Sequence, residues 1–131
     1  MAYLKPSRLT AKVVNRIAMR TKVWDVHTLE IARRREGAAQ RVPVIPVEHH
    51  GSLYVVSTRG ESDWVKNVRA ARLVRLGQKG NLAPYQSQEV TGTERSGVLL
   101  AYRKKAGREV EQYFAKLPDE ADHPTFRLTP R

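Results

Sequence analysis

The chain has 131 residues and 14.9 kDa, and 40% of its residues are hydrophobic, which suits one domain built around one core. Lys and Arg number 24 against 13 Asp and Glu, a formal charge of +11, so an anionic partner is expected. The absence of cysteine excludes disulfides, thiolate catalysis, Cys-ligated zinc and iron–sulfur clusters, and no run approaches the ~20 apolar residues of a membrane span.

The N-terminus, Met-Ala-Tyr-Leu-Lys-Pro, has no apolar signal-peptide region, so a cytoplasmic, soluble protein is expected. Residues 1–35 hold nine bases against Asp25 and Glu30. After Pro6, the residues Leu9, Val13, Ile17 and Ala18 recur at near-helical spacing, with Arg8, Lys12, Arg16 and Arg20 on the neighbouring stripe. This predicts a basic amphipathic helix within residues 5–22. Such a helix can cover a sheet with its basic face solvated, or rest on a membrane surface.

From Val23 to Ile31 the pattern is that of a strand, and Glu36-Gly37 reads as a turn into a second strand, Arg41 to Val47. His49-His50-Gly51 closes a hairpin onto a third strand, Ser52 to Ser57, which is β-branched and apolar enough to be central in the sheet. Thr58 and Ser62 are candidate helix caps, Thr58 with Glu61 forms a Thr-x-x-Glu capping box, and the helix should run to about Ala71. Leu73 to Gln78 and Tyr85 to Thr91 read as two strands around the turn Lys79-Gly80-Asn81. Val98 to Tyr102 lies in one helix, and Val110, Tyr113, Phe114 and Leu117 form the apolar stripe of another, with Gly107 between them and Pro118 as the stop. Pro124 to Thr129 returns as a last strand. These elements predict a mainly β protein with α (α+β), a closed or split β-barrel of about six mostly antiparallel strands with helices packed outside, in a single domain spanning 1–131.

His27, His49, His50 and His123 show no metal-ligand spacing, and there is no Gly-x-Ser-x-Gly elbow. Glu61 and Asp63 are explained as partners of a helix dipole, and Asp119, Glu120 and Asp122 as a solvated loop, so no catalytic carboxylate pair stands out. The informative stretch is Ser57 to Arg69. There a strand end, Gly60 and a helix N-terminus would present backbone N–H groups beside the charged Arg59. It can be read as a phosphate cradle or simply as a capped helix. Trp64, Val68 and Ala71 share a helical face, so Trp64 is either a core residue or the wall of a flat aromatic ligand.

The run Arg41-Val42-Pro43-Val44-Ile45-Pro46-Val47, then Leu53 to Ser57, then Thr58-Arg59-Gly60-Glu61-Ser62-Asp63-Trp64-Val65-Lys66-Asn67-Val68-Arg69-Ala70-Ala71, resembles the deazaflavin-dependent nitroreductase family of flavin-binding split barrels. The resemblance covers roughly residues 28–91 in element order. It implies reduced coenzyme F420, an 8-hydroxy-5-deazaflavin, as the hydride donor to an electron-poor acceptor such as a quinone, nitroaromatic or activated enone, with no catalytic side chain required. It further implies that Ser57, Thr58, Arg59 and Gly60 hold the phosphate-bearing side chain, that Arg41, Val42 and Pro43 edge the cofactor, and that Trp64 and Asn67 face it from the helix. The family's Gly-Arg-x-Ser/Thr-Gly turn is replaced here by Arg33 to Gln40, in which Gly37 survives, so FMN remains the alternative cofactor of the same fold. A non-catalytic nucleic-acid or membrane-surface module is the competing reading. Nucleic acid is not expected, because the basic residues are scattered and the two Trp and two Phe are not arrayed as stacking platforms. The oligomeric state is open at this level.

Overall fold

The computed structural model describes residues 25–34 and 37–131. The basic helix expected within residues 5–22, the start of the first strand at Val23 and the turn residue Glu36 lie outside them.

Seven strands form one sheet: β1 (His27–Ile31), β2 (Gln40–Val44), β3 (Val47–His49), β4 (Ser52–Val56), β5 (Leu73–Gln78), β6 (Asn81–Val90) and β7 (Thr125–Pro130). Their order is β2-β1-β5-β6-β7-β4-β3, and every neighbouring pair is antiparallel. The outermost strands β2 and β3 are separated in sequence only by Ile45 and Pro46. Three Cα steps of 3.8 Å reach about 11 Å, so the sheet must curl until its two edges meet. They meet without pairing, and the result is a split barrel.

The single strand expected over Arg41 to Val47 is thus two strands on opposite edges. Pro46 cannot donate to a ladder, and the break falls at it; Pro43 is tolerated because β2 is an edge strand. The apolar strand β4 is paired on both sides but lies next to the edge. Strand β6 begins at Asn81, earlier than expected. Its polar residues fit because half-buried Tyr85, Ser87 and Glu89 alternate with exposed Gln86 and Gln88. Two-residue turns at His50-Gly51 (φ 50° and 82°) and Lys79-Gly80 (φ 53° and 79°) close the β3–β4 and β5–β6 hairpins, as left-handed turns matching strand twist should.

Three α-helices lie among the described residues: α1 (Asp63–Ala71), α2 (Gly92–Ala106) and α3 (Glu111–Lys116). Alternation along the strands sends Leu29, Ile31, Val55, Val74, Leu76, Phe126 and Leu128 to the inside of the barrel, where Trp64, Val65 and Val68 of α1 join them. The opposite face of β3, β4 and β6 presents Val47, Tyr54, Val56 and Val90 to α2 and α3. Helix α2 comes so close to the β3–β4 hairpin that a Cβ at Gly97 would stand 2.7 Å from His49 Nε2. His49 cannot easily yield, since its ring stacks on His50 and lies edge-on to Tyr54. Gly97→Ala should therefore cost about 1–3 kcal/mol of stability, read by urea denaturation.

Candidate functional site

Strand β4 delivers the chain to Ser57, which is buried and fixed through three atoms. Its N–H donates to Pro124 O at 2.9 Å, its hydroxyl donates to Gly60 O at 2.6 Å, and its own carbonyl oxygen lies 3.0 Å from Nδ1 of His123. Gly60 takes φ 86°, and its carbonyl also accepts the Ser62 N–H at 2.9 Å. The loop thus folds inward around one carbonyl, and α1 starts immediately after it with Ser62 as the N-cap.

Two groups on this loop are left over. The Ser62 hydroxyl and the Arg59 Nη1 are buried and have no hydrogen-bond partner. An unmet buried polar group costs about 1–3 kcal/mol, so two of them three residues apart, at the positive end of a helix, fit an anion that would accept from both. Ser62 is the N-cap, one of the two positions expected, but makes no side-chain hydrogen bond, and the Thr58–Glu61 capping box is absent because Glu61 is drawn into an ion pair with Arg69. Arg69 also binds Glu89 of β6 at 2.7 Å, fastening α1 across the barrel mouth. Hydrogen bonds that the guanidinium donates to the Glu89 and Glu61 carboxylates hold it well above its ordinary pKa.

Asn67 is buried, and both ends of its amide are engaged: Oδ1 accepts the Arg34 N–H at 3.1 Å, and Nδ2 donates to Gln40 Oε1 at 2.7 Å. It fastens α1 to the β1–β2 connection and fixes the start of β2. The Arg34 guanidinium lies 3.7 Å from the Asp63 carboxylate, which adds a base beside the first turn of α1.

The expected site residues are therefore distributed as follows. Ser57 to Gly60 form one loop, and Asn67 joins the helix that follows it to the residue preceding Arg41. Val42 packs on the interior core. Arg41 and Pro43 face the outer surface, where Arg41 pairs with Glu30 at 2.9 Å. Burial raises the Glu30 carboxyl, but hydrogen bonds from Arg41 and Arg75 outweigh it and hold the group below its usual pKa. Trp64 is 6% exposed and tilts against Phe126 with ring centroids 6.1 Å apart. A cleft of about 600 Å³ opens at the other end of α1, lined by Val68, Arg69, Arg72, Gln86, Gln88 and Phe126, and contains none of the loop residues. Sequence pattern gives no role to Arg34 or Gln40, and Arg69 enters only as the last residue of the informative stretch. Arg34 sits in the basic run Arg33 to Arg35, but nothing local distinguishes it from its neighbours.

A comparison with curated protein sequences finds no match. Among solved structures, one titled as an F420-H2 dependent reductase superposes with a TM-score of 0.62 at 21% identity, covering 79% of this chain and 93% of that one. A second, described as a domain-swapped dimer, gives 0.60 at 18% identity over 95% of this chain and 99% of that one. The heme storage protein of Vibrio cholerae gives 0.57 at 12% identity over 89% of each chain. At such identities these likenesses show the split-barrel fold, and a fold that also serves a heme protein does not by itself name a cofactor. The decisive match is to a family model, that of the F420H(2)-dependent quinone reductases, over residues 6–117. The chain belongs to the F420H(2)-dependent quinone reductase family and is an oxidoreductase that uses coenzyme F420.

Proposed function

We propose that this reductase passes a hydride from reduced deazaflavin to a small electron-poor acceptor of the quinone type, and that residues 57–62 hold the cofactor's phosphate. The observation that carries the reading is the pair of buried, unpartnered groups, Arg59 Nη1 and Ser62 Oγ, at the N-terminus of α1. A phosphate oxygen placed there would accept from both and would meet the helix dipole. Bound in this way, the reduced deazaflavin supplies the hydride. The protein's own residues bind and orient: Ser57 and Gly60 shape the loop, Arg59 and Ser62 donate, and Asn67 keeps α1 in register with β2. Arg41, Val42 and Pro43 would then edge the site from that strand, and Trp64 would support it from the core. The +11 charge supports attraction of the acidic oligoglutamate tail that the family's cofactor carries. We read residues 1–131 as one split-barrel domain. No helix among the described residues is long and apolar enough to cross a membrane.

Arg59→Ala tests the reading. Loss of a charge-assisted hydrogen bond of roughly 1.5–3 kcal/mol should weaken deazaflavin binding about tenfold to a hundredfold, measured by quenching of cofactor fluorescence. The melting temperature without cofactor should stay unchanged, because Nη1 has no partner in the protein to lose. Equal affinity in variant and native protein would remove Arg59 from the site.

A further inference from the structure

His123 is wholly buried, and none of the binding groups above accounts for it. Its Nδ1 lies 3.0 Å from the Ser57 carbonyl oxygen, and its Nε2 lies 2.7 Å from the Leu117 carbonyl oxygen. Both oxygens can only accept. A neutral imidazole has one N–H and would set a lone pair against one of them, so the ring satisfies both contacts only with a proton on each nitrogen.

Burial opposes a charge on the ring, so its contacts must offset that cost. The ring stacks on Phe114 with centroids 4.2 Å apart and planes at 23°, and the Arg103 guanidinium lies 4.5 Å from the same centroid. Two groups that close to one ring cannot share a face, so Phe114 is held between two cationic groups through its π-electrons. Arg103 is paired with Glu111 of α3, which offsets its charge. The turn that carries His123 holds Asp119, Glu120 and Asp122, of which Glu120 is bonded to Ser96. The ring's own hydrogen bonds go to carbonyls.

The geometry also has a direction. In a planar trans peptide the C=O and N–H point opposite ways, so a Ser57 carbonyl aimed at His123 turns the Thr58 N–H away from it. The next residues hold both partners, since Pro124 O accepts the Ser57 N–H and Thr125 Oγ1 donates to His123 O at 3.0 Å.

We propose that His123 is a buried imidazolium that acts as a positioning residue for the cofactor's phosphate, orienting the Ser57–Thr58 peptide and placing a positive charge behind the anion-holding loop. The proposal rests on the reading of residues 57–62 as that loop. Two measurements test it. In protein labelled with ¹³C and ¹⁵N, the His123 ring signals are assigned on the native protein by through-bond correlation to its own backbone, and at pH 7 both ring nitrogens should carry a proton. A single protonated nitrogen would overturn the proposal, and this measurement on the native protein decides it even if the variant fails to fold. His123→Gln keeps amide donors but not the charge, and should raise KM for reduced deazaflavin about tenfold while leaving kcat within about twofold. An unchanged KM in a folded His123→Gln protein would also overturn it. An error in the underlying reading is separable, because it would appear as an unchanged affinity in Arg59→Ala.

Discussion

Gly60→Val is expected to abolish deazaflavin binding, with a loss of more than about a hundredfold in affinity, while the barrel still folds. Gly60 holds φ 86°, a conformation that a β-branched residue does not adopt. The variant must rotate the peptide, and the Gly60 carbonyl would then leave both the Ser57 hydroxyl at 2.6 Å and the Ser62 N–H at 2.9 Å. A β-branched residue held there would carry backbone strain of about 1–3 kcal/mol, relieved by a local rearrangement of the loop that gives up those two hydrogen bonds of about 1 kcal/mol each. Such a rearrangement moves Arg59 and Ser62 apart, and the pair would no longer meet one anion. Gly60→Asn, which tolerates left-handed backbone better, should keep part of the affinity. Native affinity in Gly60→Val would mean that the loop only caps a helix.

How far the site can be read from the sequence depends on the range of the interactions that make it. The loop itself is local: a strand end, a glycine and Ser62 before an amphipathic run announce a strand–turn–helix, and the two Gly-containing hairpin turns are equally local. The split between β2 and β3 is not. Alternation alone runs unbroken from Arg41 to Val47, and only the closure of the barrel, which sends Gln40–Val44 and Val47–His49 to opposite edges, exposes Pro46 as the break. Glu61 shows the same limit. Its spacing from Thr58 is that of a capping box, yet Arg69, two turns on, reaches Glu61 and Glu89 together and wins it. Asn67 and His123 are further cases, since the partners of Asn67 lie 27 and 33 residues away, one of the two carbonyls against His123 lies 66 residues away, and no local period marks them. The sequence shows only that His123 lacks metal-ligand spacing, and the fold then places two carbonyls against it.

Trp64 was ambiguous for a physical reason: one turn inside a helix, an indole can serve the core or a ligand with the same sequence signature. Its burial at 6% exposed and its contact with Phe126 place it in the barrel interior, among Leu29, Val55, Val65 and Leu76. Trp64→Ala should therefore cost about 3–5 kcal/mol, and the cofactor-free protein should melt roughly 10–20 °C lower. Because α1 carries Ser62 and Asn67, the collapse of that cavity should also displace the loop and weaken cofactor binding in whatever fraction remains folded. The informative variant is Trp64→Phe, which leaves an aromatic ring against Phe126. Under a core role its stability falls by roughly 1–2 kcal/mol and KM for the deazaflavin stays within about twofold of native. A tenfold rise in KM with stability retained would show instead that the indole touches the cofactor, and that α1 contributes a wall to the site as well as its positive end.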